Sequence, residues 1–209
     1  MRNTRRVGAS ASVERLSALI EERMEPGSDT ERIDRRIWDL FGETWCVMFT
    51  DLAGFSRQVE RYGIIHFLQT VYASERELCP IIDEHDGILL KTEGDSFLVV
   101  FRNPAKALAC GVAMQQHLKR HNESTPAEDD ILLCVGLGFG RVLKIGDDDV
   151  FGAQVNAASK LGEDTANAWE ILVTGAMKDA VGDDAGVGFE ALESVPPGAA
   201  SAWRVTYEL

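Results

Sequence analysis

The stretch Ile88-Leu89-Leu90-Lys91-Thr92-Glu93-Gly94-Asp95-Ser96-Phe97-Leu98-Val99-Val100-Phe101 decides the fold. Two strand-like segments, residues 88–92 and 97–101, flank Glu93-Gly94-Asp95, and this predicts a β-hairpin with a tight turn. Before it, apolar positions at 64/65, 68, 71/72 and 78 recur at helical spacing, which predicts an amphipathic helix over 58–79 that kinks or ends at Pro80. Before that helix, residues 45–50 form a short apolar strand. After the hairpin, Asn103-Pro104 reads as a helix cap followed by proline at the first helical position, with the helix running to about His121. A polar loop over 122–130 precedes a long strand over 131–139 and a second over 141–145. Strand, helix, hairpin, helix, strand is the order of a split βαβ unit. The fold class is therefore α+β, a ferredoxin-like sheet with helices on one face.

The flanks extend this frame. A helix is predicted over 152–161, a strand over 171–174, then a short helix and terminal strands near 187–190 and 202–207. Residues 1–44 differ. Leu16, Ile20, Met24, then Ile33, Ile37, Leu40 and Phe41 recur at helical spacing among charges, and Pro26-Gly27-Ser28-Asp29 divides them into two helices. Ser28 or Asp29 is the candidate cap. This N-terminal helical arm packs on its own domain or makes dimer contacts.

Composition limits the function. Of 209 residues, 45% are hydrophobic and 26% are charged, as in an ordinary soluble domain. The net charge of −13 argues against nucleic-acid and anionic-membrane partners. A bound anion would need metal ions or placed cations. Cys46, Cys79, Cys110 and Cys134 are scattered, with no CxxC and no His at metal-ligand spacing beside them, so buried thiols in a reducing compartment are expected. No stretch has the length of a membrane span. The basic run Met1-Arg2-Asn3-Thr4-Arg5-Arg6 is not followed by an apolar run, so a secretory signal is not expected and the cytoplasm is the expected location.

Two carboxylates stand out. Asp51 ends the first strand, in Phe49-Thr50-Asp51-Leu52-Ala53-Gly54-Phe55, and Asp95 sits at the hairpin tip. A hard divalent cation such as Mg²⁺ needs one or two carboxylates, with positions left for water and phosphate oxygens. Gly54 and Gly94 leave room for close approach of a triphosphate. On the helix over 152–161, Asn156 and Lys160 are four apart and share a face.

FTDLAGF, KTEGDSF and DVFGAQVNAASK, in that order, resemble the motifs of the class III adenylate and guanylate cyclase catalytic domain. The resemblance covers residues 45–209, with 1–44 as an appended arm. It implies that Asp51, Asp95 and the Leu52 carbonyl hold two Mg²⁺ or Mn²⁺ ions per active site, with Gly54 and Phe55 against the substrate. It implies that Lys91 and Asp149 read the base, that Asn156 orients the ribose and that Lys160 meets the reacting phosphate. Lys91 donating to adenine N1 and Asp149 accepting from the 6-amino group fit ATP and mismatch guanine. The implied reaction is ATP to 3′,5′-cyclic AMP and pyrophosphate, at sites shared across a homodimer. Two positions depart from the family. Lys160 stands where it usually has Arg, and Ser194-Val195-Pro196-Pro197-Gly198 lacks its triphosphate-binding Lys, for which Arg204 is the remaining candidate. The alternatives are a cyclase for GTP or a pyrimidine nucleotide, and a non-catalytic nucleotide-binding module.

Overall fold

The structure is a computed structural model, and it describes residues 10–182 and 186–209, except for the side chains of Phe55 and Ser56. The basic run at residues 1–6 lies outside the described residues. Two helices come first, α1 (Ala11–Met24) and α2 (Thr30–Phe41). Ser10 caps α1 by accepting from the Val13 amide, and Asp29 caps α2 by accepting from Arg32. The sheet strands are β1 (Gly42–Leu52), β2 (Ile88–Glu93), β3 (Ser96–Phe101), β4 (Leu133–Ile145), β5 (Asp149–Phe151), β6 (Ile171–Thr174), β7 (Gly188–Ala191) and β8 (Ala202–Thr206). The remaining helices are α3 (Phe55–Tyr62), α4 (Ile64–Glu84), α5 (Pro104–Ser124), α6 (Ala153–Ser159) and α7 (Gly175–Val181).

Among the described residues the strands form one sheet in the order β2-β3-β1-β4-β6-β8-β7, with β5 paired to β4. The first four pair antiparallel with one another, and β4 pairs parallel with β6. They reproduce the split βαβ arrangement expected from the sequence. On one face, Cys46, Met48, Val99, Val135 and Leu137 pack under Leu78 and Ile82 of α4, Leu108, Met114 and Leu118 of α5, and Met177 of α7. The opposite face carries Trp45, Val47, Leu98, Val100 and Val142, covered by Val155 and Ala158 of α6. The long helices thus share one face as expected, and the short α6 is added on the other.

Several boundaries differ from the sequence reading. The helix expected over 58–79 is two helices, because Gly63 takes a left-handed φ of +87° between them. Pro80 does not end α4, which continues to Glu84. Leu78, Ile81 and Ile82 are buried on either side of it, and that burial outweighs one lost hydrogen bond. The strands expected over 131–139 and 141–145 are one strand, β4, paired with β1 from Leu133 to Leu143. The helix expected over 152–161 ends at Ser159, and a π-helical turn, Lys160–Thr165, follows it.

The arm packs on its own chain. Leu19, Ile33, Ile37 and Phe41 enclose Ile145 at the end of β4, with Leu143 beside it. Ser10 Oγ also donates to Asp148 Oδ2 at 2.5 Å in the β4–β5 turn.

The placement of α6 rests on missing side chains. A Cβ on Gly136 would lie 2.2 Å from the Ala158 carbonyl oxygen, and one on Gly138 would lie 2.5 Å from that of Gln154. Gly162 approaches the Gly136 amide and the Phe49 carbonyl in the same way. Gly136→Ala is therefore expected to destabilise the chain by about 2–3 kcal/mol, since backbone must move to admit one methyl. Urea unfolding of the variant against the parent chain measures this.

Candidate active site

The α6 face of the sheet carries the site. Side chains alternate along β1, so Trp45, Val47, Phe49 and Asp51 point to this face while Cys46, Met48 and Thr50 point to the other. Thr50 Oγ1 accepts from the buried Phe97 amide at 3.2 Å, which ties the end of β1 to the hairpin. Ser96 Oγ donates to Asp51 Oδ1 at 3.2 Å. Asp95 occupies the turn beyond, after Gly94 at φ +64°.

Asp51 and Asp95 are brought within electrostatic reach of one another. Burial pushes the Asp51 carboxyl up to about 6 from its ordinary 3.8, and the charges of Asp95 and Glu163 add to the shift. Burial also raises Asp95. The backbone amide of Leu52, near both carboxylates, opposes this. Two half-buried carboxylates that repel each other form an all-oxygen donor pair that a divalent cation would relieve, so these residues fit Mg²⁺ or Mn²⁺.

Lys91 reaches this face through an irregularity. Leu89 pairs with Val99, but Lys91 pairs with Leu98, so Leu90 is an extra residue in β2. Cross-strand partners share a face. Simple alternation from Leu89 would turn Lys91 toward the α4–α5 core, and the bulge turns it to the Leu98 face instead. There Lys91 Nζ meets Asp149 Oδ2 at 2.6 Å, with Glu93 Oε1 at 3.6 Å. The Asp149 bond holds the Lys91 ammonium above its usual pKa. Asp149 is fixed in turn, because its Oδ1 accepts from the Val150 amide at 2.9 Å. Lys91 and Asp149 border a cavity of about 150 Å³ whose apolar walls include Phe49, Phe97, Leu98, Val150 and Val155. That volume suits one nucleobase. Glu93, Ser96 and Glu163 complete its polar lining.

Residues 42–196 match the adenylate and guanylate cyclase catalytic domain family. The chain belongs to that family. A serine/threonine-protein kinase, pkn2, of Myxococcus xanthus is 36% identical over 131 residues, 63% of this chain and 16% of that protein. An adenylate cyclase of Streptomyces coelicolor is 31% identical over 169 residues, 76% of this chain and 40% of that protein. The chain thus spans less than half of either relative. The crystal structure of an adenylate/guanylate cyclase/hydrolase from Silicibacter pomeroyi aligns with a TM-score of 0.68 at 26% identity, covering 80% of this chain and 99% of that one.

Against the cyclase motifs, the remaining positions divide. Gly54, at φ +93°, begins α3, and a Cβ there would meet no atom within 4 Å. The Phe55 side chain lies outside the described residues. Asn156 and Lys160 do not line the cavity of their own chain; both are exposed. Lys160 is 56% exposed and forms an ion pair with Asp164, one helical turn on. Arg204 is bound to Glu170 at 2.7 Å, with Glu190 at 3.7 Å. The sequence reading did not include Glu163, Ser96 or the bulge at Leu90. The unbroken apolar run Ile88-Leu89-Leu90 was the available sign, since it breaks strict alternation. Glu163 had no such sign, because only the wide turn after α6 brings it to the cavity.

The raised Asp51 pKa has a measurable consequence. The folded chain binds this proton more tightly than the unfolded chain, so ionisation of Asp51 costs stability. The cost is absent below the ordinary value of 3.8, grows as the pH rises toward about 6 and is complete above it. In chelator, Asp51→Asn is expected to remove this loss and to be the more stable protein at neutral pH, by about 1–2 kcal/mol after allowing for solvent screening. Urea unfolding of both proteins between pH 4 and 7.5 tests the sign.

Proposed function

We propose that this chain is an adenylate cyclase catalytic unit that converts ATP to 3′,5′-cyclic AMP and pyrophosphate, with residues 45–209 as the domain and 1–44 as its arm. The observation that carries the reading is the Lys91–Asp149 pair at a base-sized cavity on the sheet face that also bears Asp51. A cation beside a carboxylate matches the acceptor and donor that adenine presents at N1 and its 6-amino group. Guanine offers a donor and a carbonyl there, so the same pair is mismatched. The apolar walls lower the local dielectric around the pair and strengthen both hydrogen bonds. Lys91 is outnumbered by Glu93, Asp149 and Glu163 among the lining residues, so the cavity takes a neutral base and leaves the phosphates outside.

Asp51, Asp95 and the Leu52 carbonyl would hold Mg²⁺ or Mn²⁺, two per site, which supply the positive charge for the triphosphate and the reacting 3′-oxygen. The O3′–Pα bond forms as the bond from Pα to the pyrophosphate oxygen breaks. Asn156 orients the ribose, and Lys160 offers charge to the α-phosphate once released from Asp164. In this reading Asp51 and Asp95 come from one protomer, and Lys91, Asp149, Asn156 and Lys160 come from the other; the exposure of Asn156 and Lys160 fits groups that meet a site completed by a second copy. The four free thiols suit a reducing, cytoplasmic setting, and among the described residues no helix is long and apolar enough to cross a membrane.

One observation favours a nucleotide-binding module without turnover. Lys160 is paired with Asp164, and Arg204 with Glu170, so neither cation stands free at the cavity. A product assay with ATP, GTP, CTP and UTP in Mn²⁺ separates the readings. Cyclic AMP from ATP alone is the expected result. Cyclic GMP or a cyclic pyrimidine product overturns the base reading, and bound ATP with no product overturns catalysis.

Asp51→Ala and Asn156→Ala are each expected to be inactive alone. Mixed with subunit exchange, they should regain part of the wild-type rate, because one site of each heterodimer receives both intact halves. Exchange without recovery counts against shared sites.

Lys160→Ala is expected to lower turnover about 10²–10³-fold, the usual cost of removing a positioned charged donor. Lys160→Arg should keep or raise it, since guanidinium binds phosphate oxygens in pairs. Turnover numbers at saturating ATP and metal decide this, and equal values for all three proteins would exclude the role.

A further inference from the structure

Glu163 is a carboxylate in the cavity that no cyclase motif reading accounts for. It lies in the π-helical turn after α6, a wide turn seated on the sheet because Gly162 meets Gly136 and the Phe49 carbonyl without side chains between them. Such turns inside or at the end of helices recur at functional sites. The Ser159 hydroxyl donates to Glu163 Oε2 and fixes the side chain. Among the described residues no cation comes within ion-pair distance of it; the Lys160 ammonium feels its charge but is paired with Asp164, and Lys91 is engaged by Asp149 and Glu93.

Glu163 lines the same cavity as Lys91 and Asp149, and its charge also reaches Asp51. An adenine in it carries one amino group with two N–H bonds, and its other edge positions are lone pairs or C–H groups. A fixed carboxylate with acceptor capacity left would repel the ring nitrogens, so its favourable partner on adenine is the amine.

We propose that Glu163 is a specificity-determining residue that accepts the second N–H of the 6-amino group, while Asp149 accepts the first. The proposal rests on the base-cavity reading above and adds to it. Two acceptors on one amine make the site select for the 6-amino group itself. One acceptor would leave the second N–H against the cavity wall without a protein partner, which costs affinity.

The test is equilibrium binding of three triphosphates with a methylene bridge between the α- and β-phosphorus, so that none is turned over. Their bases are adenine, unsubstituted purine and guanine. The full chain is compared with Glu163→Ala, Glu163→Gln and Lys91→Ala. Wild type should prefer adenine over unsubstituted purine. Glu163→Ala should shrink that preference about tenfold, the size of one hydrogen bond to a charged group. Glu163→Gln keeps an acceptor oxygen and should keep most of it. An unchanged preference in both Glu163 variants overturns the proposal, as does a loss confined to the guanine ligand. Adenine affinity unchanged in Lys91→Ala overturns the base-cavity reading itself, and the proposal with it.

Discussion

The close approach of α6 to β4 is the constraint on which the site depends. Gly136, Gly138 and Gly140 alternate along β4, so their missing side chains fall on one face and leave a groove. Val135 and Leu137, between them, fill the core on the other face. The backbone of α6 lies in that groove at distances no Cβ would allow. The helix therefore brings Val155 against the cavity and delivers the following turn to the sheet. A larger residue in the groove would lift α6 and open the cavity on one side.

The sheet separates stability from chemistry by face. The α4–α5–α7 side holds the larger core, while the other side holds a smaller cluster next to polar residues. The polar residues carry an unfavourable excess of negative charge. The carboxyls of Asp51 and Asp95 are both held above their usual range, chiefly by burial. A binding site that is less stable than its surroundings until filled is a common arrangement where function sets the sequence.

Much of this was legible in the sequence, for identifiable reasons. The hairpin around Gly94, the cap at Asn103 and the apolar periodicity of the arm are local signals, and they led to the observed elements. The family motifs led to Asp51, Asp95, Lys91 and Asp149, which the fold gathers on one face. The parts that escaped are set by packing over distance. Nothing near Pro80 tells a helix to continue; the buried residues around it do. The side-chain direction of Lys91 depends on a register shift against β3. Glu163 reaches the cavity only because glycines on two elements let them touch. The pairing of Lys160 with Asp164 is an i,i+4 contact that the sequence offered alongside the Asn156–Lys160 spacing, and only the structure shows which partner the ammonium takes.

The arm and the cavity are also joined more directly than their separation in sequence implies. Ile145, enclosed by the arm helices, is the cross-strand partner of Asp149. Ser10 holds the adjacent Asp148. One strand pair therefore stands between the arm's apolar core and the carboxylate that grips Lys91. The hairpin works as a short lever with its load at Asp149 and its fulcrum at the end of β4. A tilt of the arm helices cannot be absorbed by a flexible linker, because none intervenes, and it would reappear as a displacement of the cavity rim.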